Sequence, residues 1–282
     1  MTILTISSQV VFGHVGNSVA DFTLRRLGHR VIAVPTVLLS NHKGYPDAVG
    51  EVFGPDLLRE FFSALERRGV LDELTAVQTG FLATVGQAQS TFDFLGELRS
   101  GKPDLPIIVD PVMGDKGRLY VDPALPAVYR DRAPSLASLI TPNAFEAETL
   151  LGAPPSGLGG LVKGLQNKGF GAGVVTSAET LAEISAAKAI LAFEGSQQRL
   201  IEHEAVMFPR DPNGVGDFVA ALSAGLYGIG SLAERTGWIS EALVRLLGAT
   251  AAAGLGELAL AEAQDEWLSA LPQAAFTRAT NS

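Results

Sequence analysis

Short apolar runs of strand length alternate with segments of helical periodicity along most of this 282-residue chain. The strand-like runs are residues 2–7, 31–36, 74–79, 106–110, 136–141 and 173–176, and the helical segments are residues 17–27, 55–68, 85–99 and 143–151. Strands that alternate with helices pair in parallel, because each helix returns the chain to the same end of the sheet. The pattern predicts an α/β fold with a mostly parallel sheet and helices on both faces, in a single domain over residues 1–282.

The alternation ends in the last third of the chain. Two strand-like runs, Ala187–Phe193 and Arg199–Phe208, flank a short turn and predict a β-hairpin at the edge of the sheet. After Asp217 the chain is predicted to be helical almost to its end, with Thr277–Ser282 as a frayed tail. Nearer the start, residues 37–54 are predicted to be irregular and polar.

The strongest chemical motif is Asp211-Pro212-Asn213-Gly214-Val215-Gly216-Asp217, which directly precedes an apolar, alanine-rich helix. Gly214 and Gly216 lack Cβ atoms, so the backbone N–H groups of this turn can approach an anion closely. The helix start adds free N–H groups and the positive end of the macrodipole, which favour a phosphate. Asp217 faces that anion and can accept the proton of a hydroxyl that attacks phosphorus. An ordinary glycine-rich turn before a core helix is the other interpretation of the motif.

Polar side chains also follow several predicted strands, where ligands bind in open α/β sheets. Ser8 follows the first strand, and it either meets a polar ligand atom or caps a turn. Asn17 is predicted to be the N-cap of the next helix. The loop after the second strand mixes hydroxyl, amide, imidazole and cationic groups, including His42 and Lys43.

Carboxylates and hydroxyls follow the later strands. Asp110 and Asp115 can hold Mg²⁺ beside nucleotide phosphates, usually through water, or they are ordinary acidic turn residues. Asn143 and Glu146 either form a capping box or face the metal and phosphates, and their positions are compatible with both. The two hydroxyls of Thr176-Ser177 suit phosphate or ribose contacts.

Composition excludes several other classes of function. The formal net charge of −9 argues against nucleic acids and anionic membrane surfaces as general partners. The chain has no cysteine, which excludes disulfides, thiolate zinc sites and a cysteine nucleophile. The N-terminus lacks a basic n-region, and no uncharged apolar stretch reaches the roughly 20 residues of a membrane span. A soluble, cytoplasmic enzyme is expected.

Taken in order, these motifs resemble those of the pyridoxal kinases, the vitamin B6 branch of the ribokinase-like family of small-molecule kinases. The resemblance covers most of the chain from Ile3 to Leu226. The segments that carry it are Ser7–Ser18, Arg25–Gly28, Leu39–Tyr45, Thr79–Phe81, Asp110–Asp115, Thr141–Glu148 and Gly214–Asp217. It implies a three-layer α/β/α sandwich and transfer of the ATP γ-phosphoryl group to the 5′-hydroxyl of pyridoxal.

The resemblance also implies a role for each matching residue. Asp217 is the implied catalytic base, and Gly214, Val215 and Gly216 form the implied anion hole. The vitamin pocket is implied to comprise Ser8, Val15, His42, Lys43, Gly44 and Phe81. The cations are implied to be organised by Asp110, Thr141 and Glu146, and ATP to be contacted by Asp110, Asp115, Asn143, Glu146, Thr176, Ser177, Phe208 and Asn213. Such enzymes use MgATP, are helped by a monovalent cation such as K⁺, and are usually homodimers.

Two residues differ from those of many relatives. Lys43 stands where threonine is common, and Phe81 stands where tyrosine is common, so the order of preference among pyridoxal, pyridoxine and pyridoxamine is open. A kinase for hydroxymethylpyrimidine or another hydroxymethyl heterocycle is one alternative, which the Ser40-Asn41-His42 loop disfavours. A non-catalytic vitamin B6 binding protein is another. Asp217 argues against it, because a binder gains nothing from a carboxylate aimed at phosphate.

Overall fold

A large mixed sheet runs through the middle of the computed structural model, which describes residues 1–277. The strands in chain order are β1 (Thr2–Val10), β2 (Arg30–Leu39), β3 (Gly50–Val52), β4 (Leu74–Thr79), β5 (Ile107–Val109), β6 (Gly114–Asp115), β7 (Arg118–Leu119), β8 (Leu139–Ile140), β9 (Ala172–Val175), β10 (Lys188–Glu194) and β11 (Gln197–His203). Within the described range, nine of them form the sheet in the order β11-β10-β9-β8-β5-β4-β1-β2-β3. The strands β6 and β7 pair with each other in a separate short hairpin.

The sheet is parallel in its centre and antiparallel at both edges. The strands β2, β1, β4, β5, β8 and β9 are parallel neighbours. At one edge β10 and β11 form an antiparallel hairpin, and at the other β3 runs antiparallel to β2. The predictions of a mostly parallel sheet and an edge hairpin are therefore confirmed, although the second hairpin strand ends at His203 rather than at Phe208.

Helices cover both faces of the sheet. They are α1 (Asn17–Arg26), α2 (Pro55–Arg67), α3 (Val85–Gly101), α4 (Leu125–Arg132), α5 (Ala144–Leu151), α6 (Gly157–Asn167), α7 (Glu179–Ala182), α8 (Val215–Gly225), α9 (Leu232–Ala253), α10 (Gln264–Leu268) and α11 (Ala274–Thr277). Buried side chains of α2 to α6 form one apolar core with the sheet, and those of α1, α8, α9 and α10 form another on the opposite face. The result is the three-layer α/β/α sandwich.

The first two strands run further than their sequence predicts. The prediction that β1 ends at Ser7 is wrong, since the strand continues through Ser8 to Val10. The prediction that residues 37–54 are irregular is also wrong in part, because residues 37–39 complete β2 and residues 50–52 form β3. Cross-strand pairs such as Val10 with Leu39 supply the backbone partners for this extension, and such pairing is invisible to a local pattern.

Asn17 is not the N-cap of α1. That position is occupied by Gly16, with a φ of 56°, and the buried Asn17 amide instead donates to two backbone carbonyls. Its Nδ2 atom lies 3.1 Å from the Ser7 oxygen and 3.0 Å from the Val34 oxygen. Asn17 therefore ties α1 to the neighbouring strands β1 and β2.

Two expectations concern the chain as a whole. Of the predicted tail, only Thr277 belongs to the described residues, where it ends α11, and residues 278–282 lie outside them. The single domain over residues 1–282 stays a prediction. Among the described helices, none is both long and apolar enough to span a bilayer.

Candidate active site

The parallel strands end side by side at one edge of the sheet and lead into predicted site residues. The backbone N–H groups of Asp110 and Thr141 each donate, over 3.1 Å, to the carbonyls that end β4 and β5. The Thr176 N–H donates to the Pro142 carbonyl over 3.0 Å. Asp110, Thr141 and Thr176 are thereby brought together at the edge where ligands bind in such folds.

The N-terminus of α8 adjoins this edge. Gly214 precedes the helix with a φ of 89°, a left-handed conformation that favours glycine. A Cβ atom at this position would lie 2.0 Å from the His14 carbonyl oxygen, so no larger residue fits without a shift of the backbone. Gly214 has no side chain with which to cap the helix, and the first N–H groups of α8 are left available to an anion.

Asp217 lies in the first turn of α8 and is half-buried. Burial raises the pKa of its carboxyl to about 6, while a hydrogen bond from the Gly16 backbone N–H acts to lower it. Gly16 also adjoins Ser8, since a Cβ atom on Gly16 would lie 2.2 Å from the Ser8 Oγ. Ser8 and Asp217 are therefore close neighbours of one glycine, and Asp217 has a pKa suited to accepting a proton near neutral pH.

Two further buried carboxyls, those of Asp110 and Glu146, lie beside the strand ends. Burial, followed by repulsion from Glu146 and Asp217, holds the pKa of Asp110 well above its usual range, while the Thr141 hydroxyl acts to lower it. Burial likewise raises the pKa of Glu146. A bound cation would relieve the repulsion that Asp110 experiences from its acidic neighbours Glu146 and Asp217.

Asn143 and Glu146 do form the capping box that the sequence predicted for α5. The Glu146 Oε2 accepts the Asn143 N–H over 2.9 Å, and its Oε1 accepts the Met113 and Gly114 N–H groups over 2.9 and 3.3 Å. The Asn143 Nδ2 donates to the Gly114 carbonyl over 2.8 Å. The structural interpretation of both residues is therefore confirmed, and it fastens the start of the β6–β7 hairpin to α5.

The residues predicted to contact ATP are spread around this edge. Ser177 follows Thr176 with a φ of 55°, and both are half-buried. Asp115 is exposed on the β6–β7 hairpin, whose Lys116 forms an ion pair of 2.6 Å with Asp211. The half-buried Phe208 and the exposed Asn213 lie in the loop that contains Asp211. The ion pair connects the hairpin to the loop that precedes Gly214.

A small apolar cluster forms the predicted vitamin side. The half-buried side chains of Val15 and Phe81 pack against buried residues of β1 and β2. The Phe81 backbone is held on both sides, because its N–H donates to the Ser7 Oγ over 3.0 Å and its carbonyl accepts the Thr36 hydroxyl over 2.7 Å. Lys43, by contrast, is exposed at the rim.

His42 and Gly44 form part of a network that the motifs did not indicate. The Gly44 N–H donates to the His42 Nδ1 over 3.0 Å, and the His42 Nε2 lies 3.2 Å from the Glu257 Oε1. The Arg210 Nη2 donates to the Gly44 carbonyl over 2.8 Å. Arg210 lies in the segment from Phe208 to Asn213 that the resemblance assigned to ATP, whereas Glu257 was missed from the sequence. For Glu257 the available signal was the short Gly-Leu-Gly-Glu run after α9, which is too common to indicate a site.

The side chains that the structure describes do not form a complete set of ligands for a metal ion. Among residues 1–277, no three acidic or histidine side chains lie close enough together to hold a metal ion. Asp110 nevertheless offers a buried carboxylate next to the Thr141 hydroxyl, and both are hard oxygen donors. The acidic surroundings of Asp110 fit a hard divalent cation whose remaining ligands come from phosphates and water.

Comparison with known proteins supports a single family. A family model described as phosphomethylpyrimidine kinase matches residues 56–235. The pyridoxal kinase PdxY of Granulibacter bethesdensis is 34% identical over 277 residues, covering 95% of this chain and 96% of that protein. The corresponding protein of Deinococcus radiodurans is 36% identical, covering 94% and 92%.

Solved structures agree with this result. The pyridoxal kinase from Leishmania donovani in complex with ADP and pyridoxamine superposes with a TM-score of 0.85 at 26% identity, covering 95% of each chain. The similarity therefore extends over nearly the whole chain rather than over one motif. The chain therefore belongs to the pyridoxal kinase family and is a small-molecule kinase with the ribokinase-like α/β fold.

Proposed function

We propose that this protein transfers the γ-phosphoryl group of ATP to the 5′-hydroxyl of pyridoxal and so forms pyridoxal 5′-phosphate. The observation that carries the proposal is the position of Asp217, a carboxylate with a pKa of about 6 in the first turn of α8, beside an open helix N-terminus. The names of the relatives and the ADP and pyridoxamine ligands of the Leishmania donovani enzyme support the choice of substrates.

Asp217 acts as the general base in this proposal. Its carboxylate accepts the proton of the 5′-hydroxyl as that oxygen forms a bond to the γ-phosphorus. The bond from the γ-phosphorus to the bridging oxygen breaks, and ADP leaves with the electron pair. The backbone N–H groups of Gly214, Val215 and Gly216 stabilise the negative charge on the transferred group. The His14 carbonyl oxygen lies where a Cβ atom of residue 214 would stand, so this point of the turn requires glycine.

Mg²⁺ is the proposed divalent cation. Asp110 and Thr141 are the proposed protein donors, and Glu146 acts through water, because its carboxylate oxygens already accept three backbone N–H groups. Mg²⁺ held by these residues would supply positive charge that offsets the charge of the phosphates. A monovalent cation such as K⁺ is part of the proposal through the family resemblance.

The remaining predicted residues keep their proposed roles around these groups. Ser8 and Phe81 lie beside Asp217 and the apolar cluster, where a substituted pyridine ring can be held by one hydroxyl and an aromatic face. The proposed vitamin pocket comprises Ser8, Val15, His42, Lys43, Gly44 and Phe81. The proposed ATP contacts are Asp110, Asp115, Asn143, Glu146, Thr176, Ser177, Phe208 and Asn213.

A second candidate function is phosphorylation of a hydroxymethylpyrimidine. The observation that favours it is the description of the matching family model, which names phosphomethylpyrimidine kinase. The full-length relatives favour pyridoxal, because they are named pyridoxal kinase and match about 95% of the chain. Both reactions use the same base and anion hole, so the difference lies in the vitamin pocket.

The test is ATP consumption by the purified protein with Mg²⁺ and K⁺, with pyridoxal, pyridoxine, pyridoxamine and hydroxymethylpyrimidine offered in parallel. Turnover led by a B6 vitamer supports the proposal, and formation of the 5′-phosphate is checked by mass spectrometry. Turnover with the pyrimidine alone would transfer the assignment to the second candidate. Tight vitamin binding without turnover would instead favour a non-catalytic binding protein.

A homodimer belongs to the same proposal, with each subunit as one domain over residues 1–282. It is supported by exposed apolar side chains on the extension of β1, β2 and β3, where Val11 is 79%, Leu38 44% and Val49 69% exposed. Leu38 stands between Val37 and Leu39 of the apolar cluster, so it lies on the opposite face of β2 from that cluster. A second copy of the chain would remove that apolar surface from water.

Light scattering after size-exclusion chromatography tests the dimer. We expect a dimer mass for the wild-type protein and a monomer mass for Leu38→Glu. This single substitution changes neither Val52 nor the β10–β11 hairpin. A monomeric wild type at micromolar concentration would contradict the proposal. A cytoplasmic location is also proposed, because that compartment supplies the ATP that the reaction consumes.

A further inference from the structure

Glu257 lies far from every motif in the sequence, in the segment between α9 and α10, yet its side chain is only 12% exposed. Its Oε1 accepts the Tyr45 hydroxyl over 2.8 Å and lies 3.2 Å from the His42 Nε2. Its Oε2 accepts the His14 backbone N–H over 3.1 Å. One carboxylate therefore joins the loop between β1 and α1 to the loop between β2 and β3.

The position of the proton on His42 follows from this network. The Gly44 N–H donates to the His42 Nδ1, so that nitrogen is an acceptor and the ring proton is on Nε2. The Nε2–H then donates to the Glu257 carboxylate. The Asn213 Nδ2 also lies 3.2 Å from Nε2, but an amide NH₂ is a donor, so it makes no hydrogen bond with the Nε2–H tautomer. Both ring nitrogens of His42 are therefore engaged within the protein.

We propose that Glu257 is a positioning residue for the pyridoxal site. It stabilises the Nε2–H tautomer of His42, which the Gly44 N–H also favours, and holds the loop from His42 to Tyr45 against the loop that carries His14 and Val15. The inference rests on the proposed function, because the two loops that Glu257 joins carry residues of the proposed pyridoxal pocket. Glu257 works through His42 and Tyr45, and it does not touch the reacting atoms.

The carboxylate suits this role because three hydrogen-bond donors converge on it. They come from a ring N–H, a phenol and a backbone N–H, on chain segments more than 200 residues distant from Glu257. Removing the acceptor leaves three partly buried donors unpaired, which costs more than the loss of one ordinary hydrogen bond. The loops would then lose their common anchor while the α8 turn and the acidic cluster keep their own contacts.

Steady-state kinetics separates this role from general structural support. We expect Glu257→Ala to raise the KM for pyridoxal by about tenfold or more, which is the effect of roughly one unpaired buried group, with kcat and the KM for ATP changed less than about threefold. Glu257→Gln keeps one acceptor oxygen and should raise the KM by a smaller factor. The control Glu262→Ala changes an exposed residue of the same segment and should leave the KM unchanged.

The tautomer of His42 provides a readout that does not depend on turnover. The chain has 4 histidines, so the His42 ring nitrogens can be assigned in a ¹⁵N spectrum by comparison with His42→Gln. We expect the Nε2–H form in the wild type and in Glu257→Gln, and a mixture of tautomers in Glu257→Ala. In a double-mutant cycle, Glu257→Ala should add less than about twofold to the KM effect of His42→Ala.

The outcomes are distinguishable from a failure of the proposed function. A folded Glu257→Ala protein with an unchanged tautomer and a pyridoxal KM within about twofold of the wild type would overturn the inference. If Glu257→Ala does not fold, the smaller KM effect and retained tautomer of Glu257→Gln decide the question. A wild type that phosphorylates no B6 vitamer would overturn the proposed function, while the ¹⁵N spectra would still test the link from Glu257 to His42.

Discussion

The two halves of the candidate site are built in different ways. The proposed phosphate side, residues Asn213–Asp217, is one continuous turn whose backbone N–H groups are the proposed binding groups, and Asp217 follows within the first turn of α8. The vitamin side takes side chains from the ends of β1 and β2, from Phe81 after β4 and from Glu257 after α9. A short motif can specify the first arrangement, whereas the second exists only when distant segments pack together.

This difference indicates which residues should affect phosphoryl transfer and which should affect binding of the vitamin. Phosphate is bound by N–H groups and a helix terminus, which require glycines at particular positions but few specific side chains. Recognition of the vitamin requires particular groups at particular points in space, and several loops supply them. Variants of the phosphate side should therefore mainly change kcat, and variants of the vitamin side should mainly change KM.

The largest effect is expected from Asp217→Asn. The amide cannot accept the hydroxyl proton, so kcat should fall by about 10³-fold while the KM for each substrate changes little. Steady-state assays against the control Asp265→Asn, an exposed residue whose side chain is 94% accessible, provide the measurement. Retention of more than a tenth of the wild-type kcat would remove Asp217 from the role of general base.

Gly214→Ala should have the next largest effect on turnover. The new Cβ atom would meet the His14 carbonyl oxygen at 2.0 Å, in a backbone conformation with a φ of 89°. We expect kcat to fall by about 10²-fold, because the N–H groups of the turn lose their alignment. Gly237→Ala is the matched control, since nothing lies within 4 Å of that position inside α9, and it should be neutral or slightly stabilising. A near-normal kcat for Gly214→Ala would show that the turn tolerates a shift.

The Asp217 pKa also predicts how stability depends on pH. Its folded-state pKa of about 6 lies above the ordinary value of 3.8, so the native protein holds this proton more tightly than the unfolded chain. The free energy of unfolding of the wild type should therefore decrease as the pH rises from about 4 to 6. Above that range the carboxyl is charged in both states, and the full cost of the buried charge is present. Asp217→Asn avoids the cost and should be more stable by about 1 to 3 kcal/mol at pH 8, without ATP or Mg²⁺.

Urea unfolding at several pH values measures this difference. The advantage of Asp217→Asn should disappear below about pH 4, where the wild-type carboxyl is protonated in both states. A variant that is equally or less stable than the wild type at pH 8 would show that the Gly16 hydrogen bond outweighs the burial of Asp217. Asp265→Asn should follow the wild-type curve at every pH.

The smallest effect is expected on the vitamin side, from Lys43→Thr. Lys43 is exposed at the rim, so its replacement should change the KM for pyridoxal by less than about fivefold and leave kcat unchanged. The KM values of this variant for the three B6 vitamers would show whether residue 43 affects the choice among them. A large decrease in kcat would contradict the assignment of Lys43 to a rim that takes no part in phosphoryl transfer.

Much of the fold could be predicted from periodicity, and the exceptions have physical causes. The span of β4 was predicted correctly from Leu74 to Thr79, because Leu74, Ala76 and Val77 form the apolar part of a run of strand length. The capping box of Asn143 and Glu146 was also predicted, because both partners lie within four residues of each other. The extension of β1 to Val10 and the buried role of Asn17 were not, since both depend on contacts with β2.

The sequence by itself determined the α/β class, the family and the glycine-rich turn before α8, because these features are encoded in local periodicity and in short motifs of successive residues. Only the tertiary structure decided that Glu146 and Asp217 raise the pKa of Asp110, and that Glu257 joins His42, Tyr45 and His14. Electrostatic repulsion and hydrogen bonds act over a few ångströms in space, and the chain brings these residues within that range only when the sheet and its loops have folded.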